Sequence, residues 1–257
     1  MDNTIASVAP PRRFQFGWVG DVYFHPRQLF TRIAAANSGL WQTPMLLLSL
    51  SAVLLVIAGG WIKQSTGSTA FEIPPQFQYY TPEQQAQFQQ AMAATQGPVF
   101  LYVFPGLVAI FRVWLGWLLV GGLIHLISTM LGGRGSTGTT MNVVAWSGMP
   151  FFLRDLVRLV ALLVTHNAVR SPGMAGFVPA SEAQLGIFLT ALLGAVDIYL
   201  IWAILLISLG VRISTSITTV KAVLGAIITI LLVLSLQAGL SYLTSRLSGL
   251  TVIRPFF

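Results

Sequence analysis

No cysteine occurs in the 257 residues, which removes thiol catalysis, thiolate metal sites and disulfide scaffolds together. Charge is almost as scarce. Asp, Glu, Lys and Arg make up 8% of the chain, against about 25% in a soluble domain, too little polar surface to clothe a water-soluble body of this size. Histidine is confined to His25, His125 and His166, on separate segments, so no metal-ligating pair is in view. Lysine stands only at Lys63 and Lys221, every other cation being arginine. What is abundant is apolar side chain: 55% of residues are hydrophobic, and the mean hydropathy is +0.77. A soluble enzyme and a disordered tail protein are both nearly excluded, and an integral membrane protein remains.

The net charge of +7 would raise nucleic acid as a partner in a soluble domain. Here the cations are scattered between hydrophobic runs with no dense stripe, so they orient the chain in a bilayer instead, and no nucleic acid is expected. A hydrocarbon core of about 30 Å needs about 20 apolar residues at 1.5 Å each. Five segments qualify, over about 41–62, 98–131, 141–165, 185–211 and 220–243. The fold class is therefore an all-α integral membrane protein, a bundle of five transmembrane helices. The division expected is a cytoplasmic tail with an interfacial helix over 1–40 and a transmembrane domain over 41–257. The first span lies behind forty mostly polar residues and outlasts a signal-peptide core, so it reads as a retained signal anchor. With the N-terminus inside, the inner segments hold Arg12, Arg13, Arg27, Arg32, Arg134, Arg212 and Lys221. The outer segments hold only Lys63, Arg170, Arg246 and Arg254. The expected placement is the plasma membrane, N-terminus cytoplasmic and C-terminus outside.

Within the tail, Pro26 suits a helix first turn, and Leu29, Phe30 and Ile33 share one face with Arg27 and Arg32 off it. This segment reads either as a short amphipathic helix at the cytoplasmic surface, anchored by Phe24, Arg27, Phe30 and Arg32, or as a packed lead-in to the first span. Outside, Thr81-Pro82-Glu83-Gln84 forms a capping box that starts a polar helix through Met92, with Phe88 its obvious anchor. The second span, about 50 Å as one helix, must tilt, bend at Pro105 or project into the cytoplasm. Gly132 and Gly133 end it and, with Arg134 and Gly135, make a tight cytoplasmic turn.

Arg112, Arg154, Asp155, Arg158 and Asp197 fall inside these spans, where each costs about 2.5–3.5 kcal/mol facing lipid. They must face one another or water. Counting along the spans puts Arg112, Arg154, Asp155 and Asp197 near mid-depth, with Arg112–Asp197 the favoured interhelical pair and Asp155 meeting Arg158 at i, i+3. Arg158 is the excess cation, reaching toward the outer interface. A structural clasp is preferred over an ion or proton path, because arginine cannot relay a proton and relays need several carboxylates or histidines. His125 reads as an interfacial hydrogen-bonding group.

Other motifs fail. Gly133 to Gly138 has a phosphate-loop gap, but Thr139 stands where the lysine must be. Ser147-Gly148 lacks the flanking glycine and paired base of a serine hydrolase. No cofactor and no catalytic set are expected. Ala191/Ala195, Ala222/Ala226 and Ser235/Gly239 fit close helix packing, within the chain or with a partner.

The order of features carries a family resemblance. Phe24, Pro26 and Phe30 form a lead-in, and Trp41 with Pro44 opens the first span. Gly121-Gly-Leu-Ile-His125, Leu131-Gly-Gly-Arg-Gly-Ser136 and Val143-Val-Ala-Trp-Ser-Gly-Met-Pro150 follow, then Ile201-Trp202 and Gly210-Val-Arg212. From about Val22 onward the chain resembles the Yip (Ypt-interacting protein) domain family, and more its prokaryotic members. The resemblance implies five spans, a cytoplasmic N-terminus and no catalytic residues. Eukaryotic members are trafficking factors that bind Rab-type GTPases, and some prokaryotic members accompany ABC-type export systems. The function expected is a non-enzymatic membrane protein acting through protein partners, as scaffold, assembly factor or accessory subunit, and self-association is compatible with this. The competing expectation is a small transporter or channel using the Arg/Asp cluster.

Overall fold

The computed structural model describes residues 14–36, 39–65, 75–95, 97–167, 173–178 and 184–250. The described regular structure is entirely helical. Among the described residues, four helices are long and apolar enough to cross a membrane: Gln42–Ser65, Val99–Met130, Ile198–Thr215 and Thr219–Leu243. In chain order the helices are α1 (Val19–Phe24), α2 (Pro26–Ala35), α3 (Gln42–Ser65), α4 (Pro82–Thr95), α5 (Phe104–Met130), α6 (Thr137–Ser147), α7 (Met149–Thr165), α8 (Gln184–Gly194), α9 (Ile198–Thr215) and α10 (Thr219–Leu250).

Two of the expected spans are not single rods. The segment 141–165 divides into α6 and α7 at Gly148. Pro150 explains the break: it brings no N–H for the Trp146 carbonyl four residues back, and Phe151 N–H turns to the Gly148 carbonyl at 2.9 Å. The segment 185–211 divides into α8 and α9 across Ala195–Asp197. There Asp197 is extended, and its Oδ1 accepts the Leu200 N–H at 2.9 Å, an N-cap in the middle of an apolar stretch. The second span, by contrast, does not break at Pro105. A π-helical turn over Val99–Val103 absorbs the proline, with Phe104 N–H bonding the Val99 carbonyl five residues back.

The buried centre lies at the end of the molecule that holds the N-terminal helices. Residues Asn142 to Ser147 of α6 are all buried, enclosed by α2, α5 and α9. Leu29, Phe30 and Ile33 of α2 are completely buried, so the apolar face of this helix is filled by the protein's own α6 and α9. Gly210 makes that approach feasible: a Cβ there would stand 2.5 Å from Val143 Cγ1 and 3.0 Å from the Phe30 ring. The lead-in is stitched to α6 twice, Trp146 Nε1–H donating to the Leu40 carbonyl at 2.9 Å and Leu40 N–H donating to Asn142 Oδ1 at 2.8 Å. Tyr23 donates its hydroxyl to the Met149 carbonyl at 2.8 Å, and burial pushes its pKa up to about 12.

The capping box forms as expected: Thr81 N–H donates to Gln84 Oε1 and Gln84 N–H to Thr81 Oγ1, at 3.0 and 3.3 Å. Phe88 on α4 packs against Phe77 in a tilted pair, ring centroids 5.3 Å apart. Arg12, Arg13, Arg170, Arg254 and the side chain of Arg246, whose charges enter the expected orientation, lie outside the described residues.

A candidate site of paired charges within the helix bundle

α7 presents Arg154, Asp155 and Arg158 on adjoining turns, and the α8–α9 break presents Asp197 to them. Arg154 Nη1 lies 3.5 Å and Arg158 Nη2 3.6 Å from the same oxygen, Asp197 Oδ2. Arg154 Nε lies 3.5 Å from Asp155 Oδ1, and the Arg154 guanidinium sits 4.7 Å from the centre of the Phe151 ring. The Ser51 hydroxyl of α3 is 3.1 Å from Asp155 Oδ2 and 3.1 Å from the Leu48 carbonyl, so its one proton is shared between two acceptors. The two carboxylates are only 12% and 13% exposed. The two oxygens of Asp197 therefore act separately. Oδ1 starts α9, and Oδ2 gathers two guanidinium groups from α7.

This arrangement corrects the expected pairing. Asp197 meets Arg154 and Arg158 rather than Arg112, because it caps a helix that starts beside α7. Asp155 turns to Arg154 and Ser51, and no contact within ion-pair distance joins it to Arg158. The excess cation is Arg112, which is exposed on α5, while Arg158 is engaged. Sequence reasoning had no means of finding Ser51 or Phe151 as partners. The Asp197 cap was signalled, since Asp before an apolar run is a helix-start pattern.

The glycine turn behaves as its sequence requires. Gly132 adopts φ +91°, the left-handed region that ends α5. Gly133 N–H returns to the Ser128 carbonyl at 2.8 Å, and Arg134 N–H reaches across to the Thr215 carbonyl of α9 at 3.2 Å. A Cβ on Gly135 would stand 2.6 Å from Thr215 Cγ2, so the turn is pressed against the end of α9. Lys221 closes the same corner, donating to the Leu131 carbonyl at 2.8 Å, a cation on a helix C-terminus. His125 Nε2 lies 3.0 Å from Thr137 Oγ1. Of the residues expected to anchor the N-terminal helix at a membrane surface, Phe24 and Arg27 are exposed. Arg32 pairs with Asp21 at 2.7 Å. Phe30 is completely buried and packs in the core, which corrects its reading as an anchor.

Helices this apolar, broken where ionised groups can meet, define a multi-pass membrane protein rather than a soluble bundle. The chain matches the Yip1 domain over residues 20–240 and belongs to that family. No curated protein and no solved structure matches it.

Proposed function

We propose that this protein is a non-enzymatic, five-crossing membrane protein that works through protein partners, as a scaffold, assembly factor or accessory subunit of a larger complex. The crossings are α3, the Val99–Met130 helix, α7, α8 continued by α9, and α10. Helix lengths support this count. From the level of Asp155 and Ser51, the outer ends at Ser65, Val99, Thr165 and Gln184 are each about 15–21 Å away at 1.5 Å per residue. They can therefore end in one plane. A cytoplasmic N-terminus is supported by Arg134, Arg212 and Lys221, which gather at the end of the bundle shared with α2.

The observation that carries the reading is the paired charge network of α7 and the α8–α9 break. Two carboxylates are spent on two arginines, one serine and one helix cap, which makes a clasp that fixes α7 against α3 and α9. A transport reading has one observation in its favour: the α8–α9 break leaves a discontinuous helix with a carboxylate at its start, as solute sites in transporters have. Reconstitution separates the two. Purified protein in sealed vesicles should give no solute or ion flux that Asp197→Asn abolishes. In native membranes, photocrosslinks placed on the bundle surface should join it to other membrane proteins. Flux that depends on Asp197, with crosslinks to lipid alone, would overturn the partner reading.

A further inference from the structure

Among the described residues, Arg112 is the intramembrane charge that the clasp leaves over. It is exposed on α5 and makes no ion pair or hydrogen bond among the described residues. Two bonds across α3 fix its depth. Trp114 Nε1–H donates to Ser49 Oγ at 3.2 Å, and Ser51 Oγ lies 3.1 Å from Asp155. α5 runs antiparallel to α3, and Tyr102 bonding Gln64 at 3.0 Å confirms that register further out. Two residues before Trp114, Arg112 is therefore level with Ser51 and Asp155. That level lies about 14 Å from the start of α3 at Gln42 and about 21 Å from its end at Ser65. An arginine side chain extends roughly 7 Å, so snorkelling brings it to neither headgroup region.

Lipid tails can cover the apolar residues around it. They cannot neutralise a guanidinium at mid-depth, and such groups are found facing a partner charge or water. The neighbouring surface is shaped for a helix: Phe104, Val108, Phe111, Leu115 and Leu118 are all exposed and alternate at spacings of four and three, the pattern of a helix-packing seam. Arg112 lies one turn from both Val108 and Leu115. A second copy of this chain cannot supply the missing charge. Of its seven acidic residues, only Asp155 and Asp197 fall in crossing segments, and both are engaged with α7 arginines.

We propose that the exposed face of α5 docks a transmembrane helix of a different protein, one that carries an Asp or Glu near mid-membrane to pair with Arg112. This rests on the partner reading above and names where the partner sits and what it must bring. In the test, the full chain carries a benzophenone side chain at Leu115 in native membranes; after irradiation, the adduct is sequenced by mass spectrometry. The expected adduct is a foreign transmembrane peptide with a carboxylate within about one turn of the crosslink. Its yield should fall about tenfold or more in Arg112→Leu and in Arg112→Gln, and persist in Arg112→Lys. Adducts to lipid alone, to a second copy, to a peptide without an acid, or of unchanged yield in both neutral variants would each overturn the assignment. The same probe at Leu205 on α9 and Leu231 on α10, both exposed, keeps the two readings apart. Foreign-protein adducts there and none at Leu115 overturn the α5 site and leave the partner function standing; none at any of the three positions removes both.

Discussion

Replacing Asp197 separates the roles of its two oxygens. Asparagine keeps a side-chain oxygen for the Leu200 N–H, so the cap of α9 survives, but the charge shared by Arg154 and Arg158 is lost. Removing one partner of a buried pair costs about 3–5 kcal/mol. Arg154 retains Asp155 and Phe151, and the two arginines are 23% and 34% exposed. We therefore expect about 2–3 kcal/mol for Asp197→Asn, discounted for that remaining solvation. Asp197→Ala also removes the cap and should lose about 1 kcal/mol more. Reversible unfolding in mixed micelles, followed by tryptophan fluorescence, measures both steps. Arg158→Leu combined with Asp197→Asn should recover part of the loss, because one of the two stranded cations is gone. If Asp197→Asn costs less than about 0.5 kcal/mol, a value ordinary for an exposed pair, the clasp does not hold the bundle together. If alanine and asparagine cost the same, the cap contributes nothing.

Three further outcomes follow from the packed end of the molecule. Gly210→Ala places a methyl group 2.5 Å from Val143 and 3.0 Å from Phe30, and the overpacking should destabilise by about 1–3 kcal/mol and expose α2 to limited proteolysis; unchanged protection would refute the close contact. Asn142→Ala leaves the buried Leu40 N–H without its acceptor, at a cost of about 1–3 kcal/mol, read as a lowered midpoint in the same unfolding assay. Tyr23 gives a pH dependence. Its folded pKa, pushed up to about 12 by burial, lies above the ordinary value of 10.0. The unfolded chain thus releases the proton first, and stability should fall as pH rises between these values. Tyr23→Phe should flatten that alkaline loss while giving up the bond to the Met149 carbonyl; an alkaline decline identical in both proteins would assign it elsewhere.

Composition and run length were enough to read the membrane class, because too few charges leave no other solvent for such a surface. The capping box at Thr81 and the glycine stop at Gly132 were legible for the same reason: each is a local arrangement fixed by a few neighbouring residues. The helix breaks were harder. Pro150 and Asp197 both carry helix-start chemistry, but each stands inside an apolar run whose length alone satisfies a full crossing. The charge pairing could be read only as a need for partners. Which partners meet depends on where α9 begins, and once Asp197 is a cap its side chain is committed to the neighbourhood of α7. The role of Phe30 was ambiguous for a different reason, since an apolar helical face looks the same whether lipid or α6 and α9 cover it.

The stitching of Leu40 to Trp146, and of Tyr23 to Met149, joins residues 106 and 126 positions apart. At a synthesis rate of about 5–20 residues per second, Leu40 is added to the chain roughly 5–20 s before Trp146. During that interval the greasy side of α2 has no home, and three apolar side chains that end up wholly enclosed must wait at the membrane's edge. The N-terminal helices are thus first made yet seated only after α6 and α9 exist, so the earliest part of the chain waits on a much later one.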